Sequence, residues 1–156
     1  MSYEVEEIFE EIEFPWLIFK LNNNLYTINS KMITSIVIKP EEITFIPNVT
    51  EYLTGLIHLR GNVVPLIDLK TLFKIQTASE KSVDDDKEMV IVLEKDNSFV
   101  GLVVDEVLSV ENISAFEETE EIKKMVKDGF VKGVAKGSKN EDVLLIIDEE
   151  KIMNIA

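Results

Sequence analysis

Hydrophobic and polar positions change period along the chain. Residues 2–14 place Val5, Ile8, Phe9 and Ile12 at helical spacing among Glu at 4, 6, 7, 10, 11 and 13, the pattern of a short amphipathic helix. Ser2 stands where a cap would, the early glutamates suit the positive end of the helix dipole, and Pro15 forbids continuation. The acidic segment 1–15 is then a helix packed on its own domain, a frayed tail, or a docking helix for a partner, and these readings stay open. From Trp16 the period becomes two. It predicts strands over 16–21 and 25–28 around an Asn22-Asn23-Asn24 turn, a β-branched strand over 34–38, and a short extended piece over 43–46. Two apolar runs follow within 52–69, and Asp68 caps a short helix over 68–73. Further strands are predicted over 89–93, 99–107, 113–116, 130–135 and 143–147. A helix over 117–127 carries Ile122, Met125 and Val126 on one side, and a last short helix starts at Asp148. The intervening 76–88, Q-T-A-S-E-K-S-V-D-D-D-K-E, reads as a mobile polar connector. Its Asp84-Asp85-Asp86 run is a weak cation candidate without a folded ligand cage.

The two runs within 52–69, Y-L-T-G-L-I-H-L-R-G-N-V-V-P-L-I-D-L, are joined at Gly61-Asn62. Both residues tolerate positive φ, so the pair reads as a two-residue hairpin loop. Parity sends Ile57 and Leu59 to one face and Leu56, His58 and Arg60 to the other. Arg60 is the only Arg and His58 the only His; every other basic residue is Lys. A guanidinium at the lip of a turn is either a strand-end partner for one of the many carboxylates, or a recognition anchor whose planar fork Lys cannot replace. Pro65 cannot donate to a ladder, so its strand is an edge strand or places that position away from a partner.

The two halves of the chain resemble each other. Tyr52-Leu-Thr-Gly55-Leu-Ile matches Phe130-Val-Lys-Gly133-Val-Ala, and Val63-Val-Pro-Leu-Ile-Asp68 matches Val143-Leu-Leu-Ile-Ile-Asp148. A near-constant offset of about half the chain predicts two related β units. The fold class expected is all-β: two small five-stranded barrels packed together, over about 16–75 and 88–153, with a few short helices, and a groove between them. Gly137-Ser138-Lys139-Asn140 replaces the tight Arg-Gly-Asn turn, so one half alone is equipped with Arg.

Composition narrows the function. A hydrophobic fraction of 46% over 156 residues supports one compact domain with a real core. With no Cys, disulfides, thiol catalysis and Cys-based metal sites are excluded, which fits a reducing cytoplasm. No signal peptide and no membrane-spanning apolar run is expected. A formal net charge of −14 repels phosphate backbones and anionic lipid, arguing against nucleic-acid and membrane-surface roles. Catalysis finds no support either. Asp68, Asp105 and Asp148 each follow an apolar strand and read as caps or turn residues. No nucleophile motif or phosphate loop is present, and one His cannot build a typical metal site. No cofactor is expected. A small-ligand-binding β module remains the other open class, although few polar groups converge on an apolar pocket.

The stretch G-L-I-H-L-R-G-N-V-V-P-L-I-D-L resembles the signature of CheW-type chemotaxis coupling proteins: G-x-x-N-L-R-G, an apolar strand with Pro, then D-L. Gly55, Leu59, Arg60, Gly61, Pro65, Asp68 and Leu69 match in order and spacing, and His58 stands where that family most often has Asn. The later M-V-I-V-L-E-K-D-N-S-F-V-G-L-V-V-D-E-V resembles the family's G-x-V-V-D-x-V block. The resemblance runs from about Phe19 to Met153. It implies two packed five-stranded barrels and a non-enzymatic adaptor linking chemoreceptor tips to a CheA-type histidine kinase, in the cytoplasm and beside receptor arrays. It also implies receptor contacts at Gly55, Arg60, Gly61, Gly101, Val107 and Val110, in the groove between barrels. The family usually carries an acid before the first turn. Ile36 stands at that kinase-contact position here, marking either a divergent coupling protein or a degenerate copy with another partner.

Overall fold

The computed structural model describes residues 14–47, 49–75, 87–117, 124, 129–137 and 142–155. The predicted helices over 2–14 and 117–127, the connector from 76 and the 84–86 aspartates lie wholly or mostly outside these residues. Among them the chain forms β1 (Trp16–Leu21), β2 (Asn24–Asn29), a 3-10 turn (Ser30–Met32), β3 (Ile33–Ile38), β4 (Leu53–Leu59), β5 (Asn62–Asp68) and α1 (Leu69–Leu72). There follow β6 (Met89–Lys95), β7 (Ser98–Val104), β8 (Glu106–Glu111), β9 (Ile113–Glu117), β10 (Val131–Gly137), β11 (Val143–Ile147) and α2 (Glu149–Ile155). The expected single strand over 99–107 is two, because the chain bends at Asp105 and changes sheet.

Six strands pair in the order β8-β1-β2-β11-β10-β9 and five in the order β3-β6-β7-β5-β4. The all-β class holds, but the closed barrels do not. No ladder among the described residues joins β8 to β9 or β3 to β4. Instead the edges are joined through the chain. β8 runs into β9 with only Asn112 between, so one bent stretch supplies both edges of the larger sheet. In the smaller sheet, residues 39–52 connect the edges, and Thr44 exchanges both backbone hydrogen bonds with Leu56 of β4 at 2.9 Å.

The repeat is real, but its halves are interleaved. Leu53 pairs with Ile67 and, past a bulge, Gly55 with Leu66; Val131 pairs with Ile147 and, past a bulge, Gly133 with Ile146. The Asp68 N–H donates to the Tyr52 carbonyl at 2.8 Å, and the Asp148 N–H to the Phe130 carbonyl at 2.7 Å. Hairpin β1–β2 and hairpin β6–β7 also correspond, as do β3 and β8: Ile33 lies opposite Leu93 and Val107 opposite Phe19, each beside a bulge, at an offset of 74 residues. Yet β1–β2 lies in the sheet of β8 and β11, and β6–β7 in the sheet of β3 and β5. Each repeat has given its first hairpin to the other. The expected division near 76–87 therefore does not separate the sheets.

Burial follows from this exchange. Leu17, Phe19, Leu21, Tyr26, Ile91, Leu93, Leu102, Val104, Ile147 and Ile152 form one core shared by both sheets. Ile57, Val64, Leu66, Val90, Val92 and Val103 form a second inside the five-stranded sheet, and Trp16, Ile18, Ala135, Leu144 and Ile146 a third inside the six-stranded sheet. Successive residues of β1, β6 and β11 serve different cores, which is why those strands read as unbroken apolar runs. Pro65 sits on an interior strand, not an edge. Its partner Leu56 spends its backbone groups on Thr44, so the Pro65 nitrogen faces β7, where the parallel ladder begins only at Leu66. No ladder bond is lost there.

Candidate functional site

The β4–β5 turn is one residue earlier than its sequence indicates. Leu59 pairs with Asn62, leaving Arg60 (φ 51°) and Gly61 (φ 83°) as the loop. Left-handed backbone at both positions suits the native strand twist, and Gly is favoured at the second, which fixes Gly61 there and forces Arg60 into the first. A Cβ on Gly61 would meet nothing within 4 Å, so its need is conformational. Arg60 is exposed, as is His58 two residues back on the outward face. Among the described residues no ion pair includes Arg60. The pairing explanation of this guanidinium therefore does not hold among them. Arg60 borders a hollow of about 330 Å³ with Thr34, Ser35, Asn62, Glu94 and Phe99. These residues all belong to the five-stranded sheet or its turn, so the hollow is an open end of that sheet and not a cleft between sheets.

The other expected contact positions do not gather around it. Gly55 is buried at the β4 bulge (φ 155°), where a Cβ would collide with the Ile43 side chain and lie 2.6 Å from the Thr44 carbonyl oxygen. Its role is to let the 43–44 segment lie against β4. Gly101 is buried between Leu66 and Val90, each 2.7 Å from where a Cβ would be. Val107 is partly buried against the shared core, and Val110 is 53% exposed on β8. Ile36 is 39% exposed on β3. By the 74-residue correspondence Ile36 and Val110 are the same position in two repeats: Ile36 lies opposite Ile91, Val110 opposite Leu17, and both partners belong to the shared core. The core thus reaches solvent at one edge strand of each sheet.

A second hollow, of about 540 Å³, lies between the two short helices and is lined by Tyr52, Thr71, Leu72, Lys74, Phe130 and Ile155, among others, and by none of the expected contact residues. The three aspartates that follow apolar strands are all structural. Asp68 accepts from the Lys70 N–H at 3.1 Å and Asp148 from the Lys151 N–H at 3.2 Å, both capping helices. Asp105 accepts from the Asn22 N–H at 2.7 Å and pairs with Lys70 Nζ at 2.7 Å. Burial pushes the Lys70 ammonium toward the neutral form, but the Asp105 hydrogen bond and charge outweigh it and hold the pKa above its usual value. Burial raises the Tyr26 phenol, against a smaller opposing hydrogen bond from Asn24. Among the described residues no three His, Asp or Glu side chains are placed to hold a metal ion, and no helix is long and apolar enough to cross a membrane. Pattern reading missed Glu94 and Phe99 at the hollow and Leu108 and Ile38 beside the exposed edges. Only the parity of β3 and β8 carried a signal for the last two.

Fold and site together define a duplicated all-β scaffold whose one Arg-bearing turn stands in solvent. The CheW-like domain model matches residues 15–156, and the chain belongs to that family. It is 31% identical over 147 residues to the chemotaxis protein CheW of Klebsiella aerogenes, covering 93% of this chain and 84% of that one. It is 30% identical over 139 residues to the chemotaxis protein CheW of Bacillus subtilis, covering 88% and 85%. The crystal structure of the scaffolding protein TtCheW from Thermoanaerobacter tengcongensis superimposes with a TM-score of 0.73 at 29% identity, over 86% of this chain and 88% of that one.

Proposed function

We propose that this chain is a non-catalytic adaptor that couples the cytoplasmic tip of a chemoreceptor to a CheA-type histidine kinase. It works in the cytoplasm at receptor arrays without inserting in the membrane. Family membership supports the class of role. The observation that carries the site is Arg60, exposed and in no ion pair among the described residues, held in left-handed backbone at the tip of the β4–β5 hairpin. A two-residue loop closing the β4–β5 ladder fixes the backbone from which the planar fork is presented, as suits a recognition anchor. Receptor contact then centres on Arg60 and Gly61. Val107 and Val110 contribute apolar area from the other sheet, while Gly55 and Gly101 act through the backbone geometry they permit. The test is a reconstituted receptor–kinase assay. Arg60→Ala is expected to fold normally and lose receptor-dependent kinase activation; unchanged activation would reject the reading.

A second reading is favoured by one position. Ile36 replaces the family's usual acid and is exposed, with Ile38 beside it 61% exposed. That edge would then serve a more apolar kinase surface or a different protein partner. Binding of the wild-type chain to an ordinary CheA-type regulatory domain, compared with its own native kinase, separates the two.

A further inference from the structure

The two edge strands that carry the matching positions Ile36 and Val110 are alike in shape and differ in charge. β3 leaves Ile36 and Ile38 exposed, and β8 leaves Leu108 and Val110 exposed. β3, I-T-S-I-V-I, holds no charged residue along its length. The lysines that bracket it are each held by one acid: Lys31, in the crossover from β2, lies 3.7 Å from Glu149, and Lys39 lies 3.2 Å from Glu88. β8 instead begins and ends in acid, at Glu106 and Glu111. It follows Asp105, which lies in the crossover from β7 and pairs with Lys70. Among the described residues no ladder covers the outer side of β3. An uncharged, β-branched edge with exposed apolar side chains is a surface that proteins ordinarily cover or charge.

The chain carries a segment that fits this edge. Residues 1–13 join the fold where the Pro15 carbonyl accepts from the Ser30 N–H at 3.0 Å. Ser30 opens the short turn that leads into β3, and Ile36 is at most about 20 Å further along the chain. Thirteen residues reach about that far even when wholly helical. The side bearing Val5, Ile8, Phe9 and Ile12 would span about 10 Å as a helix, enough to lie over Ile36 and Ile38, about 7 Å apart along the strand. β8 is also within reach, since Trp16 lies opposite Glu111. Charge decides between the two. The segment holds six glutamates and no Lys or Arg, so the acids of β8 repel it while the near-neutral edge of β3 does not. So short a tether also holds it at an effective concentration on the order of millimolar. We infer that residues 2–13 fold back as an amphipathic helix onto the β3 edge of their own chain and cover Ile36 and Ile38. Where that edge meets the kinase, the segment is a built-in competitor that the kinase must displace. This last step rests on the function proposed above; the docking itself does not.

Thiol labelling of the full-length chain tests this. The sequence has no Cys, so Ile36→Cys and Val110→Cys each place a single thiol at matched positions on the two edges. Alkylation by iodoacetamide is timed for each, with and without Ile8→Glu/Phe9→Glu, which puts charge on the apolar side of the segment. The paired glutamates are expected to speed alkylation of Ile36→Cys roughly tenfold, as for an edge covered about nine-tenths of the time, and to leave Val110→Cys unchanged. Ile38→Cys is expected to respond as Ile36→Cys does. Rates at Ile36→Cys and Ile38→Cys that ignore the paired glutamates overturn the inference. A rise at Val110→Cys overturns it too, by placing the segment on β8 or on no particular edge. Protection that fades on dilution assigns the segment to a second copy and overturns docking within the chain. No kinase enters the measurement, so failure of the adaptor reading leaves its outcome intact. Where labelling responds as expected, kinase binding unchanged by Ile8→Glu/Phe9→Glu rejects the competition alone.

Discussion

Hairpins β4–β5 and β10–β11 are the same object built twice. They share a bulge, a register, a hydrogen bond from a capping Asp to the residue before the first strand, and a short helix behind. They part at their tips. The first closes on Arg60 and Gly61 alone, while the second runs to Gly137 and resumes at Val143. A copied scaffold keeps what holds the sheet and is free to vary the turn, where a change costs no packing. What the two hairpins share is structural, and what only one has is the candidate for recognition.

The largest effect should come from erasing a difference inside the sheets. Gly101 corresponds to Thr27, which is buried and donates its hydroxyl to the Leu17 carbonyl at 2.9 Å. A side chain is accommodated in one repeat and excluded in the other. Gly101→Val should cost about 3 kcal/mol or more in guanidinium denaturation, and Thr27→Val only about 1 to 2. Equal costs would mean that the repeats do not differ there as described. At the tips, Arg60→Ala should shift unfolding by less than about 0.5 kcal/mol, yet weaken receptor binding by about 2 kcal/mol. Lys136→Ala, on the plain hairpin, should leave binding unchanged.

The crossover pair predicts an alkaline limit. Lys70 titrates above its unfolded value, so its contribution is full below that value and fades as pH rises through the folded pKa. Tyr26, also raised, acts in the same direction, because the unfolded phenol ionises first. Stability should therefore fall above about pH 10. Lys70→Met should lose about 1 kcal/mol at neutral pH and show a shallower alkaline fall, leaving the Tyr26 part. An unchanged slope would place the effect elsewhere. The smallest effect concerns the matching edges. Ile36→Glu and Val110→Glu should each alter stability by less than about 0.5 kcal/mol. Only Ile36→Glu should tighten binding to an ordinary CheA-type regulatory domain, by a few-fold; equal effects at both edges would deny them separate roles.

Much of this was legible in the residues. Unbroken apolar runs at β1, β6 and β11 announced strands, and the near-repeat of 52–68 in 130–148 announced a duplication. Which neighbour each strand takes was not legible, because a repeat names the units without naming their partners. The bend at Asp105 was hidden in an apolar run, since one polar residue between valines looks like any strand position. Its pairing with Lys70 leaves no spacing signal at all. At the site, the uniqueness of Arg60 was visible and its placement in the loop was missed by one residue, because Gly at either loop position satisfies a tight turn. That its hollow belongs to a single sheet, and that Gly55 and Gly101 answer to neighbours far along the chain, required coordinates.

The exchange of hairpins also decides how the molecule bears mechanical load. β1, near the beginning, and β11, near the end, lie in the same six-stranded sheet, separated only by β2, which runs parallel to β11. Trp16 lies opposite Asn29 and Ile146 opposite Thr27, so β1 starts and β11 ends at the same edge of that sheet, and tension between tethers there pulls across the strands and unzips their ladders instead of shearing them. The Arg60 turn belongs to the other sheet, away from the ladders that take that tension first.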